Sequence, residues 1–444
     1  MIVFNQSLKE VTLMKTKKRT IRVATALSLS LAAVLAGCGA KEAVTQTSSA
    51  VAVKSAADAV TANANTTSGG AIDTTDLFTE RDLEQTADLT DATYYTISDG
   101  QTISITAAGV YVISGTASNA QITVEAGDED KVQLVLDGVS ITNDSIPAVY
   151  VKNADKVFVT TTEGSSNTLS VSGAFTADGE TNTDGVIFSK DDLVLNGLGT
   201  LNISSSDNAV VSKDDLKVTG GTYEISCSGT AFEANDSIAV ADGTFNISNC
   251  NDGLHAENDE DDSVGYVYIC GGSFDITAAD DGMHATTIFQ MDDGDVTISA
   301  AEAIEATWVQ INDGTINIEA SDDGINASSK SSAYSICAEF NGGDITINMG
   351  AGDTDAIDSN GDLIINGGTF TINAQSPFDY DGTVQKNGGT LIINGTETDS
   401  ITNQMMGGGP MGGMPGGDMG GQQGGFDGGQ MGGGPQGGMG GPGR

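Results

Sequence analysis

The chain of 444 residues holds 18 lysine and arginine residues against 61 aspartate and glutamate residues, a net charge of −43 at pH 7. Nucleic acid and anionic membrane surfaces are excluded as partners of so acidic a chain, because like charges repel. The composition instead favours divalent cations and neutral or cation-bridged ligands.

The N-terminus has the organisation of an export signal. A basic stretch precedes an apolar run from Val23 to Ala36, which leads into the sequence Leu-Ala-Gly-Cys ending at Cys38. The apolar run is shorter than the ~20 residues that cross a bilayer, as is typical of a signal peptide. A cysteine directly after Leu-Ala-Gly resembles the lipobox of bacterial lipoproteins; an ordinary signal with a chance cysteine is the alternative. We therefore expect a lipoprotein signal peptide over residues 1–37, lipidation of Cys38, and a protein anchored at the extracellular face of the cell membrane.

Two segments of low complexity flank the rest of the chain. Residues 38–75 are rich in Ala, Thr, Ser and Asn, which predicts a flexible tether. Residues 401–444 consist largely of Gly, Met, Pro and Gln. Such a segment cannot bury enough apolar surface to offset its ordering entropy, so we predict that this tail is disordered.

A short pattern recurs nine times in the middle of the chain. In each copy a glycine is followed two residues later by an apolar residue and four residues later by isoleucine. The nine glycines are Gly199, Gly221, Gly243, Gly272, Gly294, Gly314, Gly343, Gly368 and Gly389. Alternating apolar and polar residues predict a strand with one buried face. Further apolar pairs between the copies predict two more short strands in each repeat.

This regularity predicts an all-β fold. Three short strands per repeat, separated by Gly, Asn and Asp turns, do not form a hairpin meander of such regularity. Each repeat must bury its apolar face inside a coil that the next repeat covers, with coils ~4.8 Å apart. We therefore predict a right-handed, single-stranded parallel β-helix, a solenoid, over residues 76–400, its hand taken from the usual rule for parallel crossovers. A large β-sandwich is the alternative, but it would not keep an isoleucine in register nine times.

One acidic turn occurs twice, as NDGLHAE at residues 251–257 and as DDGMHAT at residues 280–286. Equivalent positions of successive coils lie above one another, so these turns form one corner of the solenoid. Two carboxylates ~5 Å apart repel by about 3 kcal/mol at an effective dielectric of 20, and a hard cation with many oxygen ligands relieves that repulsion. We predict Ca²⁺ as the cofactor, with these candidate ligands: Asn251, Asp252, Asp280, Asp281, Glu302, Asp322, Asp323, Asp353, Asp355 and Asp358. The alternative is that Asp-Gly only makes the turns and water solvates the charges.

Four further residues are candidates for binding carbohydrate. His255, His284 and Glu305 would line the same corner, the histidines as a stacked polar pair and not as zinc ligands. Trp308 is out of phase with the apolar residues that follow it, so we expect its ring at the surface, where an aromatic plane stacks on a sugar ring. Covering a strand edge is the alternative role for this ring.

Four cysteines follow Cys38, and none of them forms a CxxC pair: Cys227, Cys250, Cys270 and Cys337. A zinc site is therefore poorly supported, and we expect small buried hydrophobic residues. A disulfide remains open in an exported protein.

Four segments resemble the opening of a known family. They are FTERDLEQTADLTDA at residues 78–92, SDGQTISITAAGVYVISGTA at 98–117, KVQLVLDGVSITN at 131–143 and VKNADKVFVTT at 151–161. With the NDGLHA and DDGMHA turns, they are similar to a carbohydrate-binding β-helix family best known from a surface protein of cellulolytic clostridia. The resemblance implies bound calcium, recognition of cellulose and of pectin-like polysaccharides such as polygalacturonate, and a distant similarity to calcium-dependent pectate lyases.

Three functions are compatible with these observations. The first is non-catalytic, calcium-dependent binding of plant cell-wall polysaccharide by a monomer, with calcium bridging the acidic protein to uronate carboxylates. The second is a polysaccharide lyase, which needs a Lys or Arg base beside the metal. Basic residues are absent from the acidic turns, so Lys190 or Lys213 would have to reach over from an earlier coil. The third is a purely structural surface adhesin.

Overall fold

The computed structural model describes residues 72–258, 260–351 and 354–403. These residues form 34 β-strands and no helix, so none of them forms a helix that could cross a membrane. The predicted signal peptide, Cys38, nearly all of the predicted tether, Asp353 and the predicted tail beyond residue 403 lie outside the described residues.

The strands are short and follow one another through turns. The first twelve are β1 Thr93–Thr96, β2 Thr102–Ile105, β3 Gly109–Ser118, β4 Gln121–Glu125, β5 Lys131–Asn143, β6 Val149–Asn153, β7 Lys156–Thr161, β8 Ser166–Val171, β9 Gly185–Ser189, β10 Asp192–Gly197, β11 Thr200–Ser205 and β12 Asn208–Ser212. The next eleven are β13 Asp215–Val218, β14 Thr222–Ser226, β15 Phe232–Ala234, β16 Ser237–Val240, β17 Thr244–Cys250, β18 Leu254–Ala256, β19 Tyr266–Ile269, β20 Ser273–Ala278, β21 Asp281–Met291, β22 Asp295–Ala300 and β23 Glu302–Ile311. The last eleven are β24 Thr315–Ala320, β25 Ile325–Ala327, β26 Cys337–Phe340, β27 Asp344–Met349, β28 Ile357–Ser359, β29 Asp362–Ile365, β30 Thr369–Asn373, β31 Asp379–Tyr380, β32 Val384–Lys386, β33 Thr390–Ile393 and β34 Thr396–Thr398.

Each strand pairs in parallel with its counterparts in the preceding and following repeats. For example, β11 lies between β8 and β14, and its Ile203 is aligned with Leu169 and Ile225. Among the described strands, only β33 and β34 form an antiparallel pair, at the C-terminal end. The protein is therefore all-β with one parallel-dominated sheet, an arrangement consistent with the predicted solenoid.

The apolar positions of the recurring pattern form the core, as predicted. Eight of the nine isoleucines have exposed fractions of 0–2%, and Ile393 near the C-terminal end is half-buried. The apolar residues two positions after the glycines stack as well, with the ring centroids of Phe245 and Phe274 4.3 Å apart. Burying one such side chain contributes about 1.5–3 kcal/mol, so the stacked columns stabilise every coil against its neighbours.

A row of amides runs beside the core through the C-terminal coils. Nδ2 of Asn341 donates to Asn312 at 2.7 Å, Asn366 donates to Asn341 at 2.8 Å, and Asn387 donates to Asn366 at 2.7 Å. The first amide, that of Asn312, donates to Asp292 at 2.6 Å. We call this row the asparagine ladder. Each amide bonds the coil before it, which fixes the alignment of neighbouring coils.

Two cysteines join adjacent coils. Cys227 and Cys250 form a disulfide with Cα atoms 4.7 Å apart, which decides the pairing that the sequence left open. Cys270 is half-buried and Cys337 is buried, and both are free thiols. Burial raises the pKa of the Cys270 thiol to about 11 and that of Cys337 to about 12. Both thiols therefore stay protonated at neutral pH, the form that is the weaker nucleophile.

The strands form three faces that differ in exposure. The open face consists of β8, β11, β14, β17, β20, β22, β24, β27, β30 and β33, in which exposed or half-buried side chains alternate with buried ones. The histidine face contains β9, β12, β15, β18, β25, β28 and the first halves of β21 and β23. The strap face contains β7, β10, β13, β16, β19, β26, β29 and the second halves of β21 and β23. On these two faces most side chains that point away from the core are nevertheless buried.

Residues 72–85, which we call the strap, lie across the strap face. Asp82 is fully buried there, with Nζ of Lys156 and Lys217 3.5 and 3.7 Å from its carboxylate. The backbone N–H of the strap's first residue donates to Oε1 of Gln290 at 2.8 Å. The strap therefore lies on the coils and not within them. The domain boundaries at residues 76 and 400 remain predictions.

Candidate functional site

The repeated acidic turn is one corner of the stacked coils, as the sequence predicts. One column of this corner consists of aligned residues on successive coils: Glu233, His255, His284, Glu305, Asn326, Asp358 and Asp379. The column just before it consists of Asp252, Asp281, Glu302, Asp323 and Asp355. We call these two columns the acidic corner.

The glycine of each Asp-Gly step has a packing reason of its own. A Cβ at Gly282 would lie 2.4 Å from Cγ2 of Ile298 and 2.6 Å from the carbonyl oxygen of Ala303. The coil therefore approaches the core and its neighbour too closely for any other residue. This packing accounts for the glycine and leaves the aspartate before it unexplained.

We define the lower half of the acidic corner by Asp252, His255, Asp281, His284 and Glu305. The rings of His255 and His284 stack 4.3 Å apart and 9° from parallel. Nδ1 of His284 lies 3.0 Å from an oxygen of Asp281 and 3.0 Å from an oxygen of Glu305. One nitrogen of each ring and a carboxylate oxygen of Asp281 lie within 4.8 Å of one another, so these three side chains could also hold a metal ion. The short contacts of His284 with two carboxylates favour ion pairs for this imidazole.

Lys330 completes the lower half, and no motif of the sequence marks it. Its Nζ lies 2.8 Å from Oε1 of Glu305, and the same oxygen accepts from Ser328 at 3.0 Å and from Asn326 at 3.3 Å. Of the two lysines considered from the sequence, Lys213 does reach the first residue of the column, with its Nζ 2.6 Å from Glu233. Lys330 instead reaches the corner from the turn after β25. The only indication in the sequence of a contact between Lys330 and the corner is its position four residues after Asn326, a residue of the aligned column.

The lower half balances its own charge. Burial lowers the pKa of His284, but its hydrogen bonds to Asp281 and Glu305 outweigh burial and raise that pKa to about 9. Burial raises the pKa of Glu305, but the bonds from His284 and Lys330 outweigh burial and hold that pKa well below its usual range. At neutral pH, a histidinium and an ammonium therefore face these carboxylates.

We define the upper half by Glu302, Asp323, Asn326, Asp358 and Asp379. Within the described ranges, no lysine, arginine or histidine forms an ion pair with its carboxylates. Burial raises the pKa of Asp323 to about 7, and the charges of Asp358 and Glu302 add to the rise. Burial and then the charge of Asp379 raise the pKa of Asp358 to about 6. The upper half is therefore short of positive charge.

Three buried oxygens without a hydrogen-bond partner lie in or beside the same columns. They are Oδ1 of Asn326, Oδ1 of Asp379 and Oγ1 of Thr354, the residue before Asp355. Asn326 and Thr354 have exposed fractions of only 7% and 5%. A buried polar atom left without a partner costs about 1–3 kcal/mol. A cation beside these oxygens would remove that cost.

The remaining predicted calcium ligands differ in their hydrogen bonds and exposure. The amide of Asn251 donates to the aspartate that follows it at 3.1 Å. Asp280 and Asp322 are exposed on the outer side of the turn. The backbone N–H of Asp355 donates to the carboxylate of the preceding coil at 3.2 Å. Asp353 lies outside the described residues.

Besides the set with the two histidines, two sets made of carboxylates alone in the described part of the chain bring oxygen atoms within 4.8 Å of one another and could hold a metal ion. One set spans the two halves of the acidic corner: Asp281, Glu302 and Glu305. The other lies at a different corner, in two copies of the sequence SKDDL at residues 189–193 and 212–216: Asp192, Asp214 and Asp215. Burial and the neighbouring aspartates raise the pKa of Asp214 to about 7.

The prediction of an exposed Trp308 is wrong. Its exposed fraction is 6%, because its ring packs with Ile288, Cys337 and Ile364 in a small apolar cluster outside the main core. The ring does point away from the main core, as the phase of the strand predicts. Ile72 of the strap packs against this cluster and helps to cover it. The ring is therefore not available as a platform for sugar.

Comparison with known proteins assigns the chain to a family. Residues 99–353 and 303–406 match the family described as carbohydrate-binding domain-containing protein. The chain belongs to this family. A carbohydrate-binding domain-containing protein of Acetivibrio thermocellus is 35% identical over 122 residues, which are 27% of this chain and 43% of that relative. The match thus spans less than half of the relative's length.

A solved structure is also similar to the chain. It is that of the polysaccharide lyase-like protein from C. thermocellum, as a gadolinium derivative. The similarity covers 67% of this chain and 98% of the other, with 21% sequence identity and a TM-score of 0.35. Membership of the carbohydrate-binding family is what the comparisons establish.

Proposed function

We propose that this protein binds polysaccharide without catalysis and holds Ca²⁺ in the upper half of the acidic corner. Membership of a carbohydrate-binding family supports the polysaccharide. The observation that carries the metal is the coincidence of carboxylates of raised pKa with buried oxygens that lack a donor. Carboxylate and amide oxygens are the ligands that Ca²⁺ takes, so the residues present fit the ion.

Asp323 and Asn326, with Glu302 and Asp358 of the two adjoining coils, would hold the ion, and Asp379 lies one coil further along the column. Bound there, calcium would supply the positive charge that His284 and Lys330 supply to the lower half, and it would offer its remaining positions to oxygen atoms of a glycan. The lower half does not need the ion, because its carboxylates already face cations. Ca²⁺ thus belongs to a smaller set of residues than the sequence alone predicts.

We further propose that the coils wind as a right-handed, single-stranded parallel β-helix. Support comes from the parallel pairing of equivalent strands in successive repeats. Parallel strands joined by crossovers are almost always right-handed. Such a fold places the acidic corner as a vertical stripe along one edge, long enough to contact several units of a polymer.

Cellulose and polygalacturonate are the glycans that we propose as ligands. A protein of this negative charge repels polygalacturonate unless a cation bridges the two. Affinity electrophoresis in polygalacturonate gels should therefore show retardation in millimolar calcium and none in EDTA. Circular dichroism in both buffers would check that the fold persists. Equal retardation in EDTA would exclude the calcium bridge.

A polysaccharide lyase is the second candidate, favoured by the position of Lys330 beside the acidic corner. Lyase chemistry needs a neutral amine to remove a proton. Burial lowers the pKa of Lys330, but its bond to Glu305 outweighs burial and raises that pKa, so the amine stays protonated. We therefore expect no absorbance from unsaturated product when the protein is incubated with polygalacturonate and calcium. Its appearance would make the protein an enzyme.

We propose that the protein is a monomer held at the cell surface by a lipid on Cys38. The basic stretch, the apolar run and the Leu-Ala-Gly-Cys sequence support the anchor. A Cys38→Ser variant should leave the membrane fraction and appear in the medium. Retention of that variant in the membrane fraction would contradict the anchor.

A further inference from the structure

The open face is a long side of the stacked coils that the described strap and loops leave uncovered. Its outward side chains are mainly Thr, Ser and Asn, arranged in rows along the axis of the stack. Its strands contain no lysine or arginine and five carboxylates: Glu224, Asp275, Asp295, Glu319 and Asp344. The face therefore offers many hydrogen-bonding groups and no cation.

A groove follows the edge of the open face next to the acidic corner. One part has a volume of about 470 Å³ and the next about 690 Å³, and the two share Met349 and Gly350. The groove is thus continuous from the coil of Thr277 to the coil of Asn394. Its floor contains the small residues Ala278, Ala300, Ala320 and Ala374, and its rim is a row of exposed polar side chains: Thr277, Ser299, Glu319, Asn348 and Asn373.

This geometry suits a neutral linear polysaccharide. The small floor residues let a flat sugar ring approach the backbone closely. The amides and hydroxyls of the rim both donate and accept, which matches the hydroxyl groups of a sugar. Coils repeat every ~4.8 Å, close to the length of one pyranose unit, so each unit of a chain along the groove meets an equivalent row of groups. A uronate chain is disfavoured, because the groove has one carboxylate, that of Glu319, and no cation.

We propose that the groove and the adjoining rows of the open face form a second glycan site, which binds a neutral linear polysaccharide along the axis of the stack without calcium. This inference rests on the proposed function. It assigns the two proposed classes of glycan to two different surfaces of the protein. Neutral glycan belongs to the open face, and acidic glycan bridged by calcium belongs to the acidic corner.

Cellohexaose and polygalacturonate are the two probes, each titrated by calorimetry into the full chain in calcium and in EDTA. The groove variant combines Glu319→Ala, Asn348→Ala and Asn373→Ala, which are all exposed and should not affect folding. The control variant combines Glu129→Ala and Glu163→Ala, exposed residues outside the groove. Because the groove variant loses about three hydrogen bonds to the sugar, it should bind cellohexaose roughly tenfold more weakly or worse in either buffer. The control should bind as the wild type does.

The outcomes separate the two proposals. If the groove variant binds cellohexaose as tightly as the wild type, or if the wild type binds polygalacturonate alone, the second site is wrong and the proposed function stands. If cellohexaose binding disappears in EDTA while circular dichroism shows an intact fold, the site is not independent of calcium. If the wild type binds neither probe, the proposed function fails and the second site fails with it.

Discussion

The lower and upper halves of the acidic corner occupy the same two columns of the coil but balance their charge differently. In the lower half, His284 and Lys330 bond directly to the carboxylates, with nitrogen–oxygen distances of 2.8–3.0 Å. In the upper half, the same columns contain aspartates, an amide and buried oxygens without a donor. With the proposed calcium site, side chains would neutralise one half of this acidic stripe and a dissolved ion the other half.

The largest effect on stability should come from removing the carboxylate at the centre of the lower half. Glu305 has an exposed fraction of 4% and bonds both His284 and Lys330. Glu305→Ala should cost roughly 3–5 kcal/mol of unfolding free energy, because buried charge is left without its partner. Urea denaturation measures this loss. Glu319→Ala, at an exposed position, is the matched control and should change stability by less than about 0.5 kcal/mol. Equal effects of the two variants would mean that the lower half does not rest on internal ion pairs.

The next effect concerns calcium and the upper half. An Asp323→Asn, Asp358→Asn double variant should bind calcium about 100-fold more weakly, or about 2.7 kcal/mol, because the ion prefers charged oxygen ligands. Calorimetric titration of the calcium-free protein measures the affinity. Asp275→Asn with Asp295→Asn, two exposed carboxylates of the open face, removes the same charge and should leave the affinity nearly unchanged. A comparable loss of calcium affinity in that control would mean that calcium responds to the net charge of the protein and not to the upper half.

The stability that the lower half contributes should depend on pH through the protonation of His284. The pKa of His284 is raised from 6.5 to about 9, so the folded state holds this proton more tightly than the unfolded state. Its contribution to stability is complete below about pH 6.5 and is lost as the pH rises through about 9. The groups that face its ring are Asp281, Glu305 and the stacked His255. The melting temperature should therefore fall between these pH values, with or without calcium.

His284→Gln is the control for the pH effect. This variant should start from a lower melting temperature and lose less stability over the same pH range, since it has no proton to release there. If its melting curve keeps the full slope of the wild type, the pH dependence arises elsewhere.

The smallest effect should come from the more exposed histidine. The side chain of His255 is 21% exposed, and its ring stacks on His284. His255→Asn should cost about 1 kcal/mol, in the range of one aromatic pair. Urea denaturation of this variant beside His284→Gln tests the order, and a larger loss from His255→Asn would contradict it.

Much of the fold could be predicted because the repeat in the sequence determines which residues stack on one another. The isoleucine column and the acidic columns are aligned in space as they are in the repeat, since parallel pairing stacks equivalent positions. The repeat does not predict the contacts made by residues in the turns, because the turns differ in length from one coil to the next. Lys330 reaches the corner from a turn of irregular length, so its contact depends on tertiary structure. Trp308 has the predicted direction, but its burial depends partly on the strap, which approaches from a distant part of the sequence.

The asparagine ladder has a consequence for how such a protein changes over time. Its rungs are separated by 20, 29, 25 and 21 residues, yet each amide donates one hydrogen bond to the coil before it. One fixed point per coil therefore holds the alignment, whatever length of chain lies between the points. Extra residues can enter the intervening turns without shifting a strand, and the entropy cost of a longer turn grows only slowly. The 29-residue step between Asn312 and Asn341 is thus a natural place to graft a foreign peptide.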